Sequence, residues 1–515
     1  MPEPLDPALA ALQRLHRPIG PLPLDTVAAL RRSVEANAED WVAASLVAKG
    51  WQHLPHAHAE EWASGPLPVA RFLVRLQQFV AGDAQSPTPE LGRTADGCAV
   101  HAAHRLRGIG DRLTLQPYRT TVHVARDQEH RRVVADGKRA LVLGAGNVTA
   151  TPILDVLEHT VARGRAVVCK LAPPHATLLP VFERALAPLV QAGRLVFCTG
   201  DGELGQRLAH HPDIDAIHLT GATSTWRTLR DDASLAAKER TAEVGCCSPV
   251  LVLPGVWSQR ELRAAAESLA AYVAMNGGAT CVAPRVLLTA AAWPQRDAFL
   301  RHVRAALAAL PARVPFHPGV RAAFAAASMQ EPTAAALAPT LCAGRSLHDA
   351  PFLCGREWFA PVANEWTLPG DSLTQWLDAA TDFVRAHCFG ALSAYVFAPA
   401  SELQRDQATI DRAVHRLPHG TIATNTWTGL GYGLGNTPWG VREGTASDCG
   451  VGFARNLDGW PVVRTLVQAP LPAWPRSPWL PSHAHGTAAL RALTRLTLRP
   501  TFPRLFTTTW HALRS

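Results

Sequence analysis

Apolar positions recur at helical spacing through the first eighty residues. Val27, Leu30 and Val34, and then Val69, Phe72, Leu73 and Leu76, stand apart from intervening arginines and glutamines, which predicts a helical opening region. Residues 83–97 turn to Pro, Ser, Thr, Gly and Asp, a loop composition. Residues 112–124 alternate with period two before a polar run, predicting extended strands near a turn. Short apolar runs follow at 140–143, 166–169, 195–198, 216–219 and 250–253, separated by helix-compatible segments at 152–162, 176–191 and 203–210. Strand and helix alternating at this interval predict an α/β fold whose parallel sheet is covered on both faces. Such sheets bind ligands at the carboxyl ends of their strands.

A second alternating region runs from about residue 260 to 455. It predicts helices at 260–273 and 296–309, a strand at 286–288, and core strands at 390–397 and 421–425. Residues 312–343, rich in alanine and proline, read as connecting structure. No uninterrupted apolar stretch reaches the ~20 residues needed to cross a bilayer. At 515 residues, two or three domains are expected.

Charge changes this picture at one end only. The formal net charge is +8, but residues 457–515 hold seven arginines, no lysine and one acid, Asp458, a formal +6 that leaves +2 for the rest. A near-neutral body with a basic tail lacks the basic face of a nucleic-acid binder, so no nucleic-acid partner is expected. The tail, with Trp474, Trp479, Trp510 and arginines at 491, 495 and 499, either lies on an anionic membrane surface or wraps the body with its arginines facing water and carboxylates. The ten cysteines include no Cys-x-x-Cys pair, so zinc-ribbon and dithiol readings lack their spacing, and no metal is expected. The N-terminus shows no basic region followed by an apolar run; a reducing cytoplasm is the expected setting.

Candidate chemistry centres on Asn276-Gly277-Gly278-Ala279-Thr280-Cys281. A lone cysteine more often fills core than attacks substrate, and only its thiolate is a strong nucleophile, so helpers are required. The segment from Leu141 to Thr149 carries Gly144-Ala145-Gly146-Asn147 between a strand and a helix, yet lacks the third glycine of a dinucleotide fingerprint. The next strand ends in Lys170, where that fingerprint would want an acid to hold a ribose. A lysine at a buried strand end should face an anionic or hydroxyl-rich ligand, or else simply reach solvent.

In order and spacing these residues resemble the aldehyde dehydrogenase superfamily. The resemblance assigns Asn147 to the substrate oxygen and Lys170, 23 positions later, to the adenosine ribose. Leu219-Thr220-Gly221-Ala222-Thr223 resembles the family's Thr-Gly-Ser motif, which places Thr220 and Gly221 near the cofactor pyrophosphate. Glu243-Val244-Gly245-Cys246-Cys247-Ser248-Pro249 is similar to Glu-Leu-Gly-Gly-Lys-Ser-Pro, whose glutamate is the general base. Cys281 then falls on the nucleophile of Asn-x-Gly-Gln-x-Cys, and Glu357-Trp358-Phe359-Ala360-Pro361 resembles Glu-x-Phe-Gly-Pro at the nicotinamide-side ribose. The segments 420–425 and 438–440 resemble the closing motifs.

The resemblance implies a cofactor domain with a parallel sheet at 139–258 and a second α/β domain bearing the nucleophile at 259–445. A helical part at 1–111, a strand element for oligomerisation at 112–138, and a C-terminal return and basic tail at 446–515 complete it. It implies oxidation of a small-molecule aldehyde to its acid through a thioester on Cys281, with NAD or NADP, in a homodimer or homotetramer. Pro173 stands where a ribose-selecting glutamate often does, leaving NAD and NADP both open. Ala279, Cys246 and Cys247 replace the family's Gln, Gly and Lys. The short Gly-Ala-Gly-Asn turn resembles the fatty acyl-CoA reductase branch, so acyl-CoA reduction and a degenerate, non-catalytic cofactor binder stand as alternatives.

Overall fold

The computed structural model describes residues 12–16, 20–82, 90–94, 96–103, 117–125, 133–435, 437–442, 447–472 and 474–514. The expected opening helices are α1 (Leu24–Lys49), α2 (Pro55–Ser64) and α3 (Pro66–Val80). The apolar positions named above from Val27 to Leu76 are all buried, as the spacing required. Three strands follow, β1 (Glu90–Arg93), β2 (Ala99–Ala102) and β3 (Arg119–Val124). β1 lies where a loop was expected; residues 83–89 and 95, and residues 112–116 of the alternating run, fall outside the described residues.

The first sheet is built from β4 (Arg139–Leu143), β5 (Ala166–Leu171), β6 (Leu195–Thr199), β7 (Ala216–Gly221) and β8 (Glu239–Val244). Its order is β6-β5-β4-β7-β8 and every pairing is parallel. Alternate residues feed two cores: Val142, Val167 and Cys169 pack toward α1, α3 and α4 (Ala150–Leu157), while Leu141, Val168 and Ile217 pack on the other face. That face carries α5 (Gly202–His210) and α6 (Thr223–Asp231). Burial on both faces explains why these strands read as continuous apolar runs. The strand order reverses between β4 and β7, so the turns after these two strands open a crevice suited to a ligand.

The second sheet has ten strands. Its parallel part comprises β9 (Pro249–Val252), β10 (Val286–Ala290), β11 (Thr340–Arg345), β12 (Val362–Leu368), β13 (Ser393–Phe397) and β14 (Thr421–Thr424). A two-stranded ribbon, β15 (Trp439–Val441) and β16 (Gly452–Ala454), precedes β17 (Val462–Gln468). The full order is β1-β2-β3-β17-β14-β13-β9-β10-β12-β11, with β1-β2-β3-β17 antiparallel. Residues 250–253, expected beside the first sheet, sit here between β13 and β10, and the fifth strand of the first sheet is β8. Both strands are compatible with a parallel core, and only the break at Val244–Pro249, where Ser248 takes a positive φ of 38°, hands the chain from one sheet to the other. The strand element β1–β3 is thus continuous with the nucleophile domain through β17.

β9 leads into α7 (Gln259–Ala274), whose Ser258 and Glu261 form a reciprocal capping box. The nucleophile loop follows directly. The tail forms α8 (Gly486–Leu498), packed against α2 and α3, and α9 (Phe502–Leu513), packed on α8. Among the described residues, no helix is long and apolar enough to cross a membrane.

Candidate active site

The two sheets meet at a cavity of about 900 Å³, and it gathers residues from each of the motifs named above except the segment 420–425. Asn147, Lys170, Thr220, Gly221, Glu243, Cys281, Glu357 and Phe359 all line it. They come from the carboxyl ends of β4, β5, β7 and β8 on one side and from the loops after α7 and before β12 on the other.

The loop bearing Cys281 is held by backbone conformation that few residues tolerate. Asn276 and Gly277 adopt positive φ values of 53° and 64°, and Gly278 one of 77°. A Cβ on Gly278 would stand 2.3 Å from the carbonyl carbon of Ala360, so any side chain there would displace the loop. Arg285, fully buried, locks the same contact by donating to the carbonyls of Gly278 and Ala360. Asn276 does the corresponding work on the other side. Its amide Nδ2 donates to the carbonyls of Asn147 (2.9 Å) and Ala279 (3.0 Å), stitching the substrate-side turn to the nucleophile loop.

This stitch rests on a buried charge network contributed by the opening helices. Lys49 donates to Asn276 Oδ1 (2.8 Å) and pairs with Glu61. Glu60 accepts from the backbone N–H of Asn276 (3.0 Å) and takes a two-pronged contact from Arg313 at 2.6 and 2.8 Å. Buried pairs of this kind add little net stability over an apolar core, but removing one partner strands a charge, so they fix geometry. Trp41 extends the same support by donating to Thr149 (3.0 Å) beneath the Asn147 turn. None of Lys49, Glu60, Glu61 or Arg313 was singled out from sequence. The available signal was the pair Glu60-Glu61 set between the apolar Ala57, Ala59, Trp62 and Ala63.

Cys281 is half-buried and its thiol is raised well above its ordinary range, by burial first and then by the charges of Glu243 and Glu357. Cys281 therefore rests as a neutral thiol, which would need a base before it could attack. Glu243 is buried, and burial pushes its carboxyl up to about 7, with Arg455 pulling the other way. Arg455 is itself buried and stacks on Tyr432 at 4.2 Å. An acceptor titrating near neutrality beside a protonated thiol is the pairing that general-base chemistry requires. Asn147 lines the same cavity.

The rest of the cavity fits a dinucleotide. Glu357 is half-buried, its Oε1 is shielded from solvent with no hydrogen-bond partner among the described residues, and burial lifts its carboxyl to about 8 despite Arg285. An orphaned buried acceptor is costly unless a ligand donates to it, as ribose hydroxyls do. Gly245 makes room for it, since a Cβ there would fall 1.8 Å from Glu357 Oε1. Lys170 lies at the end of β5 with its charge disfavoured by burial, and its stem runs past Gly205 of α5. The N-terminus of α6 after Gly221 offers backbone N–H groups to an anion. The Thr220 hydroxyl does not face a cofactor: it donates to Asp155 Oδ2 (2.9 Å) on the far side of the sheet, leaving the backbone at 220–221 for the cavity. Phe359 meets His317 edge-on at 5.2 Å in the opposite wall.

Behind Glu243 lies a second cavity of about 920 Å³, which Glu243 also lines. Its wall is a row on the α4 side of the sheet in which His218 contacts Thr241 (2.8 Å) and Asp155 (3.5 Å), and Arg165 binds Asp136 and Glu239, each at 2.6 Å.

Residues 147–336 match the Aldehyde dehydrogenase family. A phenylacetaldehyde dehydrogenase of Pseudomonas fluorescens is 35% identical over 124 residues, 24% of each chain. A Streptomyces coelicolor protein named "Probable aldehyde dehydrogenase" is 25% identical over 277 residues, 53% of this chain and 46% of its own length. The matched stretches thus span less than half the length of these curated relatives. Among solved structures, an oxidoreductase from Marinobacter aquaeolei superposes with a TM-score of 0.61 at 18% identity, over 90% of this chain and 89% of that one. An indole-3-acetaldehyde dehydrogenase solved with NAD+ gives 0.58 at 18% identity, over 90% and 85%. The chain therefore has the aldehyde dehydrogenase fold nearly end to end, and its match to the Aldehyde dehydrogenase family spans Asn147, Lys170, Glu243 and Cys281.

Proposed function

We propose that this protein oxidises an aldehyde to its carboxylic acid, using NAD or NADP and a thioester on Cys281. The observation that carries the reading is Glu243, a buried carboxyl held near pKa 7 in the wall that Cys281 shares. In this reading Cys281 loses its proton toward Glu243 and the thiolate attacks the carbonyl carbon. The developing oxyanion is held by the Asn147 amide and the backbone N–H of Cys281; one such donor is typically worth about 2.7–4 kcal/mol. The chemistry a bound nicotinamide supplies is uptake of the hydride, and the NAD+ complex of the indole-3-acetaldehyde dehydrogenase supports that choice. Glu243 gives that first proton up to solvent and then takes one from water, the hydroxide adds to the thioester carbonyl, and collapse releases the acid and returns the Cys281 thiolate. General-base help of this kind contributes roughly 100–10,000-fold.

Glu357 and Lys170 are the side chains that would hold the two riboses, and Pro173 leaves room for either cofactor. An aldehyde panel with NAD and with NADP, each with and without coenzyme A, tests the proposal. Acid and reduced cofactor forming at the same rate without coenzyme A support it. Turnover only in its presence would assign the acyl-CoA chemistry instead.

A further inference from the structure

The tail divides into two helices with opposite surroundings. The arginines of α8 serve the body: Arg491 and Arg495 both reach Glu39, and Arg504 at the start of α9 pairs with Glu35 at 2.6 Å. α9 itself turns its apolar side outward. Phe502, Phe506, Trp510 and Leu513 are 82%, 71%, 53% and 47% exposed, and their spacing of four, four and three puts them in one row along the helix. Thr508 is the buried residue of this helix. Large side chains lined up in this way are a surface that expects cover.

The chemistry around the row selects the cover. Arg499 and Arg514 stand exposed at its two ends, and the Arg514 guanidinium lies 5.3 Å from the centre of the Trp510 ring. No acidic residue occurs after Asp458, and the nearby acids of the body, Glu35 and Glu39, are taken up by Arg504, Arg491 and Arg495, which leaves Arg499 and Arg514 as the charges at the ends of the row. A helix of 12 residues is about 18 Å long, too short to cross a bilayer, and aromatic side chains flanked by arginine suit the level of lipid headgroups. We propose that α9 is an in-plane anchor that seats this protein on an anionic lipid surface, with Phe502, Phe506, Trp510 and Leu513 entering the acyl boundary and Arg499 and Arg514 meeting phosphates. α8 ties that anchor to α2 and α3.

The test is flotation of the full chain with vesicles of phosphatidylcholine alone and of phosphatidylcholine mixed with phosphatidylglycerol. The wild type is expected to float with the mixed vesicles and not with the neutral ones, and added salt should weaken the binding. The double variant F506S/W510S, altered only at exposed positions, should lose binding about tenfold or more while keeping its circular dichroism and melting temperature. The pair R499Q/R514Q should lose the preference for the anionic lipid. Failure of the wild type to float, or equal flotation of F506S/W510S, would overturn the proposal. So would a dimer in light scattering that F506S/W510S dissociates, because the row would then belong to a second copy.

Discussion

Two glutamates on one face of β8, four residues apart, have opposite fates. Glu239 lies at the amino end among cations: Arg165 at 2.6 Å, Lys138 at 2.9 Å and Arg163 at 3.7 Å. Burial alone would raise its pKa, but these partners outweigh it and hold the carboxyl below its ordinary range. Glu243 lies at the carboxyl end, buried more deeply and in no ion pair among the described residues, and burial lifts it to about 7 although Arg455 and Trp439 pull the other way. The same residue type on the same strand is held ionised where close cations are supplied and held near neutrality where burial outweighs them, which suits the second to the base role proposed for it. The carboxyl end is also where the sheet opens onto the cavity that holds Cys281.

The contrast can be broken most forcefully by substitution. Glu243→Gln should lower acid-forming turnover by roughly 100–10,000-fold, whereas Glu239→Gln should leave turnover per folded molecule within about twofold; steady-state rates on purified protein measure both. Next in size, Asn147→Ala should cost about 100–1,000-fold in kcat with little change in cofactor affinity, since its donor counts only as negative charge develops. Stability should move in the reverse sense. A glutamate raised in the folded state binds its proton more tightly there than when unfolded, so its contribution to stability falls as pH rises from about 4.5 toward 7. Glu243→Gln should therefore raise the melting temperature at pH 8 and change it least near pH 4. Glu239 is lowered, so its contribution is present above the unfolded value and is lost as pH falls through its folded value. Glu239→Gln should cost about 1.5–3 kcal/mol at pH 7 and less in acid. Thermal melts across pH check both, and melting changes of the same sign in the two variants at pH 8 would end the comparison.

Sequence reasoning reached Glu243 and missed what makes Glu239 different. The motif residues were legible because each sits at a strand end or tight turn, where local spacing and glycine placement carry the signal, as with Gly277 and Gly278 before Cys281. The supports were not, because they come from far along the chain: Lys49 meets Asn276 across 227 positions and Arg313 meets Glu60 across 253. Residues 250–253 were identified as a strand but placed with the wrong sheet, since an apolar run records burial on both faces and not which neighbour buries it. Thr220 was legible as a site position, yet only the structure shows its hydroxyl spent on Asp155. The tail's charge was visible in sequence; the division of its arginines between the body carboxylates and an exposed aromatic row was not.

The central claim is that Glu243 releases the acyl group from Cys281 to water. It is tested most directly by mixing Glu243→Gln with aldehyde and oxidised cofactor, without coenzyme A, and weighing the intact protein. The account predicts one equivalent of reduced cofactor and an acyl mass retained on the Cys281 peptide, while the wild type turns over repeatedly and carries none. A Glu243→Gln enzyme that turns over at the wild-type rate, or a wild type that stalls acylated until coenzyme A is added, would contradict it.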